Sequence, residues 1–236
     1  MKEGWKKRRL GEACLIKPPK SEAREKAKAS TLVSFLPMED LGIGIKLVKP
    51  SQTRQLSAVA GSYTYFADGD ILLAKITPCF ENGKLGVADD LSNGIGFGSS
   101  EYIVLRPSAM VTKEWVYYFL SRKQFREEGA AQMTGAVGHK RIPKEFVEDY
   151  PLPVPPIDEQ QRIVALLDEA FAGLATAKEN AEQNLQNTRA LFESHLEAVF
   201  SQRKEGWTET CLAEFADFKN GLNFSRISWV ASLGVV

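Results

Sequence analysis

Cysteine and histidine are nearly missing from this chain, which has three of the one and two of the other among 236 residues. Cys14, Cys79 and Cys211 are odd in number and widely spaced, a pattern that fits neither a disulfide framework nor a zinc site, so they read as reduced, buried thiols. His139 and His195 stand far apart without a set of companion ligands, so no metal is expected. No run approaches the ~18 uncharged apolar residues that a membrane span requires. The basic start MKEGWKKRRL is followed by no apolar stretch and no small-residue cleavage site, so neither signal peptide nor anchor is expected and a cytoplasmic protein is. What is present, 44% hydrophobic and 25% charged residues, is ordinary globular composition, enough for one large domain or one domain with an appendage.

Catalytic patterns are wanting as well. GIGFG at 94–98 has the glycines of a phosphate loop without the G-x-x-x-x-G-K-[ST] spacing or a strand–helix setting, so loop flexibility is its expected role. Asp70 and Lys75 suggest a nuclease carboxylate and lysine, yet Leu73 stands where a second acid is needed. No methyltransferase catalytic motif is present, and a non-catalytic chain is expected.

The formal net charge is zero, but the charges are segregated. Residues 1–30 carry 10 basic and 4 acidic side chains, whereas residues 150–200 carry 3 and 8. A local basic patch, not net charge, sets phosphate affinity. This polarity suits a protein that neutralises phosphates at one end and makes protein contacts at the other; an exposed, solvated strand or turn at Lys6, Lys7, Arg8 and Arg9 is the plainer alternative.

A long helix is the strongest local signal. Pro151, Pro153, Pro155 and Pro156 read as an extended hinge over 151–158. Beyond it, IDEQQRIVALLDEAFAGLATAKENAEQNLQNTRALFESHLEAVF has no proline. Asp158 is expected as its N-cap, with Gln161 completing a capping box, and the helix is expected over 159–202. Ile163, Leu174, Leu185 and Leu196 recur every eleven residues, and Leu167, Ala181 and Phe192 join them in one stripe. At ~3.67 residues per turn such a stripe scarcely drifts around a straight helix. Left in water it costs ~25 cal/mol per Å² of apolar surface, so it needs a partner, either another copy or a different subunit. Packing on its own N-terminal domain would cover only part of it.

Residues 1–150 read as a globular domain of short strands and a few helices. FADGDILLAKI, KLGVA and EYIVLRP are strand-like runs bounded by turn residues. Thr112-Lys113-Glu114 opens an amphipathic helix through Trp115, Phe119 and Leu120, and a second helical stretch reaches Glu128 before the loop MTGAVGHKR. The fold class is therefore α+β, a mixed α/β domain followed by a long coiled-coil-forming helix. Glu3, Gly4, Trp5, Leu10 and Glu12 recur as Glu205, Gly206, Trp207, Leu212 and Glu214, so residues 203–236 read as the incomplete start of a second copy of the domain.

IPKEFVEDYPLPVPPIDEQQRIVALLDEAF, together with EGW at 3–5, Leu10-Gly11-Glu12 and FADGDILLAKITP, resembles the DNA-specificity subunit of type I restriction-modification systems. The resemblance covers residues 1–200. It implies a target recognition domain over 1–150 and a conserved spacer helix that sets half-site spacing. It also implies double-stranded DNA and the modification and restriction subunits as partners. S-adenosylmethionine, ATP and Mg would then belong to those partner subunits and no cofactor to this chain. The family's subunit typically has two such domains and two helices, so a dimer joined through the long helix would rebuild that arrangement.

Reading DNA calls for Lys and Arg on phosphates and short polar side chains at base edges. Three loops offer them: Lys75 and Thr77 after one strand, Asn82 and Lys84 in a hairpin, and Thr134, His139, Lys140 and Arg141 in the Gly-rich segment. Ser99 and Ser100 precede another strand. Arg24, Lys26 and Lys28 are weaker candidates, as a mobile arm. A non-reading assembly or decoy protein that dimerises through the helix is the alternative, and a stand-alone nuclease a remote third.

Overall fold

The computed structural model describes residues 4–202 apart from 137, together with 206, 208 and 210–216. The first half of the domain contains β1 (Lys6–Arg9), α1 (Leu10–Ala13), β2 (Cys14–Ile16), α2 (Ser21–Lys26), β3 (Leu32–Leu36), β4 (Leu47–Val48), β5 (Gln52–Gln55) and α3 (Leu56–Val59). It continues with β6 (Thr64–Ala67), β7 (Ile71–Ala74), β8 (Leu85–Ala88), β9 (Ile95–Gly98) and β10 (Tyr102–Pro107). Then follow α4 (Lys113–Leu120), α5 (Lys123–Ala131), α6 (Lys144–Asp149), β11 (Pro151–Val154) and α7 (Ile157–Ser201). Two compact units divide the chain, Met1–Leu174 and Ala175–Val236.

Within the first unit, a five-stranded sheet in the order β2-β10-β7-β8-β4 and a four-stranded sheet in the order β5-β3-β9-β6 form the middle layers. Strand alternation explains how they stack, because successive side chains point to opposite faces. Ile71 and Leu73 of β7, with Ile103 and Leu105 of β10, enter a core with Trp115, Phe119 and Phe125 of α4 and α5. Leu72, Ala74, Tyr102 and Val104 enter a second core with Leu36 and Phe66 of the other sheet. Val33, Phe35, Tyr65 and Phe97 turn the opposite way and meet Ala23, Leu56 and Val59 of α2 and α3. The strand-like runs are continuous in apolar residues because both faces of their sheet are covered.

The helix opened by Thr112 forms as its sequence predicts, with the Thr112 hydroxyl accepting from the Trp115 amide at 3.1 Å. GIGFG behaves differently from the expectation of loop flexibility: Ile95–Gly98 is a buried strand. Its glycines make room. A Cβ on Gly96 would lie 2.1 Å from the Phe66 ring, and one on Gly98 would lie 2.3 Å from the Leu36 carbonyl oxygen. Backbone cannot swing aside as a side chain can, so Gly98→Ala should cost about 1–3 kcal/mol, read as a lower urea midpoint.

The Pro-rich run also differs from expectation. Pro151–Val154 is not an unpaired hinge but a strand, antiparallel to β1, with Arg9 opposite Pro151 and Lys7 opposite Pro153. Prolines lack a donor, and a two-stranded ribbon has outer sides that need none. The exposed basic residues Lys6 to Arg9 are thus an ordinary edge, with Arg9 paired to Glu12 and Asp149.

Helix α7 starts at Ile157, which places Asp158 inside the first turn instead of at the N-cap. Gln160, fully buried, holds the start: its amide donates to the carbonyls of Met110 and Pro155, and its oxygen accepts from the Thr112 amide. Further along, Ile163 packs on the first core, the Phe171 ring stacks on Tyr118 at 5.7 Å, and Asp168 bonds Lys46 and the Tyr118 hydroxyl. Leu167 lines an apolar groove beside them. From Leu174, 64% exposed, the stripe is open: Ala181, Leu185, Phe192 and Leu196 are exposed along the helix.

Of the cysteines, Cys14 is buried, with its thiol pushed up to about 12 by that burial, and Cys79 is half-buried. Cys211 is exposed among the described residues, against the expectation of a buried thiol, and so are the residues of the short turn Leu212–Glu214 that follows it. Most of the second repeat lies outside the described residues. Among the described residues no helix is long and apolar enough to cross a membrane.

Candidate nucleic-acid interface

The candidate site is built where strand ends from both sheets meet. At the end of β2, Lys17 adopts a positive φ of 58° and its amide bonds the Val104 carbonyl at 2.8 Å. That turn directs the chain through Pro18 and Pro19 into α2. Just beyond the end of β7, residues 140–142 are zipped against residues 75–77: the Thr77 amide donates to Lys140 O at 2.9 Å and the Ile142 amide to Lys75 O at 3.0 Å. Thr134 and Arg141 in turn bridge each other.

These turns enclose a cleft of about 420 Å³ lined by Lys17, Lys20, Lys75, Ser100, Arg141 and Lys144, with Tyr63, Tyr65 and Tyr102 among its walls. Among the described residues no acidic side chain lines it. Just beside it Glu101 accepts from Arg141 Nε at 2.9 Å and Nη2 at 2.8 Å, and Lys75 Nζ lies 3.8 Å away. Lys75 also donates to the Ser100 carbonyl at 2.9 Å, and Lys20 to that of Gly61 at 2.8 Å. Among the described residues no ion pair forms to Lys17, Lys20 or Arg24. Burial, followed by the nearby charges of Lys17 and Arg24, lowers the Lys20 ammonium from its usual value. A bound anion would relieve that crowding of like charge.

Two carboxylates around this region titrate low. The hydrogen bond from Arg106 lowers Glu22, and the one from Arg141 lowers Glu101, both from 4.5. The folded chain therefore holds these groups ionised further into acid than the unfolded chain does. Their stabilisation is complete above about pH 4.5 and is lost as pH falls through the lowered folded values. Urea midpoints should stay level from pH 7 to about 5 and decline below, and Glu101→Gln should flatten part of the decline. A midpoint that rises on acidification would contradict this.

Of the sequence-predicted residues, the cleft gathers the side chains of Lys75, Ser100 and Arg141. Lys140, His139 and Thr134 are exposed on the adjoining segment. Ser99 is half-buried and its hydroxyl accepts from the Glu101 amide at 3.2 Å. Thr77 is half-buried and its hydroxyl donates to Glu81 at 3.0 Å. Asn82 is exposed but not in the cleft, and the Lys84 ammonium is taken up by the carbonyls of Met38 and Glu39 at 2.7 and 3.2 Å. Arg24 and Lys26 belong to the ordered helix α2, not to a loose arm, and with Lys28 they line a second basic depression that shares Gly61's surroundings.

Lys17, Lys20, Glu101 and Lys144 were not singled out by sequence, although KPPK at 17–20, two lysines flanking a rigid turn, is a usable signal. The Asp70–Lys75 nuclease pairing does not form. Asp70 is 1% exposed and bound to Arg106, away from solvent. Among the described residues no group of three His, Cys, Asp or Glu is placed to hold a metal.

The model of the type I restriction modification DNA specificity domain matches residues 2–186. The chain belongs to that family. Two specificity-domain relatives from Escherichia coli are each 35% identical to it. The EcoEI specificity subunit aligns over 231 residues, 96% of this chain and 36% of the relative. The EcoAI specificity subunit aligns over 201 residues, 83% and 31%. The chain thus spans about a third of the length of these relatives. In fold it is similar to the HsdS subunit from Thermoanaerobacter tengcongensis, with a TM-score of 0.65 at 18% identity, covering 89% of this chain and 52% of that one. A chain of a type I R-M system solved for its complex assembly and conformational transition matches at 0.53 and 23% identity, covering 84% and 44%.

Proposed function

We propose that this chain reads DNA sequence as a specificity component of a type I restriction-modification complex and performs no catalysis itself. The observation that carries the reading is the convergence of Lys17, Lys20, Lys75 and Arg141, from separate turns, on one cleft without an acidic lining. Lys17 and Lys20, which form no ion pair among the described residues, can hold phosphates, while Lys75 and Arg141, shared with Glu101, and the polar groups between them reach base edges. In this reading residues 1–150 recognise one half-site in the cytoplasm and α7 fixes the distance to a second reader. Residues 203–236 begin a further domain of the same kind. The modification and restriction subunits dock on the complex and supply the chemistry, with S-adenosylmethionine, ATP and Mg as their cofactors.

Selection from a random duplex library with the full chain tests the reading. Enrichment of a defined sequence at ~0.15 M salt is the expected result, since purely electrostatic binding fades there. Binding without enrichment would favour a non-reading assembly protein.

The open stripe of α7 supports self-association through the helix. Within the first unit, the groove of about 450 Å³ lined by Trp115, Tyr118, Phe119, Leu167 and Phe171 offers further apolar surface. Light scattering should give the mass of a dimer for the wild type and of a monomer for Leu174→Glu, Leu185→Glu, because a charge cannot be buried unpaired in such a seam. A wild-type monomer would refute this part of the proposal.

A further inference from the structure

Arg141 and the lysines around it are not equivalent cations. Among the described residues Lys17 and Lys20 have no carboxylate partner, whereas the Arg141 guanidinium is held on two sides: Nε and Nη2 donate to Glu101 at 2.9 and 2.8 Å, and Nη1 donates to the His139 carbonyl at 3.0 Å. A guanidinium has five N–H donors. The three contacts leave one donor on Nη1 and one on Nη2. Its charge is also largely offset by Glu101, which the hydrogen bond from Arg141, and then the nearby Lys75, keep ionised despite partial burial.

A group with offset charge and fixed direction is poorly suited to gripping phosphate indiscriminately and well suited to reading. Two donors on adjacent nitrogens of one plane match the O6 and N7 acceptors that guanine alone presents together in the major groove. Phosphate attraction would fall instead to Lys17, Lys20 and Arg24, whose charge is uncompensated.

We infer that Glu101 is a positioning residue, fixing Arg141 as the reader of one guanine edge. The inference rests on the DNA-reading proposal above. Without the carboxylate, Arg141 gains rotamer freedom and net positive charge, so it trades base discrimination for general phosphate affinity.

The test compares wild type, Glu101→Gln, Arg141→Lys and Lys20→Ala, each as the full chain, in selections from a random 30-bp duplex library at about 0.1 M salt. The wild-type site should contain one position where guanine is preferred about tenfold or more, as a paired-donor contact provides. Glu101→Gln and Arg141→Lys should cut the preference at that position several-fold, with the other positions unchanged and binding to random duplex undiminished. Lys20→Ala should weaken binding to all sequences alike and leave every base preference in place.

A merely structural role for Glu101 would lower affinity at all positions together, and that outcome, or an unchanged guanine preference in both variants, would overturn the inference while leaving DNA reading intact. A wild-type chain that enriches no sequence would instead overturn DNA reading, and the inference with it. Arg141→Lys preserves the charge at an exposed position, so its result stands even if Glu101→Gln is poorly folded.

Discussion

Arg106→Ala should destabilise the chain by about 3–5 kcal/mol, the cost typical of removing one partner of a buried ion pair. Asp70 is all but inaccessible and accepts from Arg106 Nε at 2.7 Å, from Nη2 at 2.8 Å and from the Ala67 amide at 2.8 Å. Arg106 Nη1 reaches on to Glu22 at 2.6 Å, which also accepts from the Tyr65 hydroxyl at 3.2 Å. The guanidinium is raised above its usual value, first by the hydrogen bond to Asp70, so its charge is permanent. Deleting it leaves a buried carboxylate with one backbone donor and a second carboxylate nearby. Arg106 lies on β10 opposite Leu15 of β2, and Glu22 lies on α2, so the network ties a strand of the five-stranded sheet to the helix that covers the other sheet. The Asp70→Leu, Arg106→Met double variant should recover much of the loss, because the buried carboxylate is removed with its cation and the remaining charge, Glu22, is partly exposed and keeps the Tyr65 hydroxyl. Urea unfolding measures both; an Arg106→Ala variant within ~1 kcal/mol of wild type would refute the argument.

Replacing Lys17, Lys20 and Arg24 together by alanine should weaken DNA binding by about 10²–10³-fold at 0.1 M salt. Each phosphate contact contributes about 0.9 to the slope of log K against log salt, so the slope should shrink by nearly three while base preference persists. The three residues follow one another through the turn and first helical turns after β2, and Lys20 is pinned to the Gly61 carbonyl. They thus present a preset row of charge that loses little freedom on binding. Titration over a salt series measures the change. A triple variant with an undiminished slope would place the phosphate contacts elsewhere, on Lys75, Lys140 or Lys144.

The two predictions differ in how far sequence reaches. Local periodicity sufficed for ILLA, LGVA and YIVLRP as strands, for the Thr112-capped helix and for the proline-free helix after residue 156, because hydrogen bonding and side-chain direction repeat at short range. Lys75, Ser100 and Arg141 were legible because polar residues after apolar runs fall on loops at strand ends.

What was misread depended on partners distant in the chain. GIGFG is a strand because Phe66 and Leu36 press against its glycines, and PLPV is a strand because KKRR pairs with it. Asp70 looked chemical until Arg106, 36 residues on, closed over it. The Lys84 ammonium is held by the carbonyls of Met38 and Glu39, 45 or more residues away, and the Glu101 carboxylate by Arg141, 40 residues on.

Sequence by itself determined most of the element types, the segregation of charge and the family to which the chain belongs, since each is carried by neighbouring residues or by patterns along one segment. Only the tertiary structure decided which charges are spent inside the protein and which remain for a ligand. Ion pairing acts across a few ångströms of space, and residues separated by tens of positions come within that reach only once two sheets have stacked and their strand ends have met.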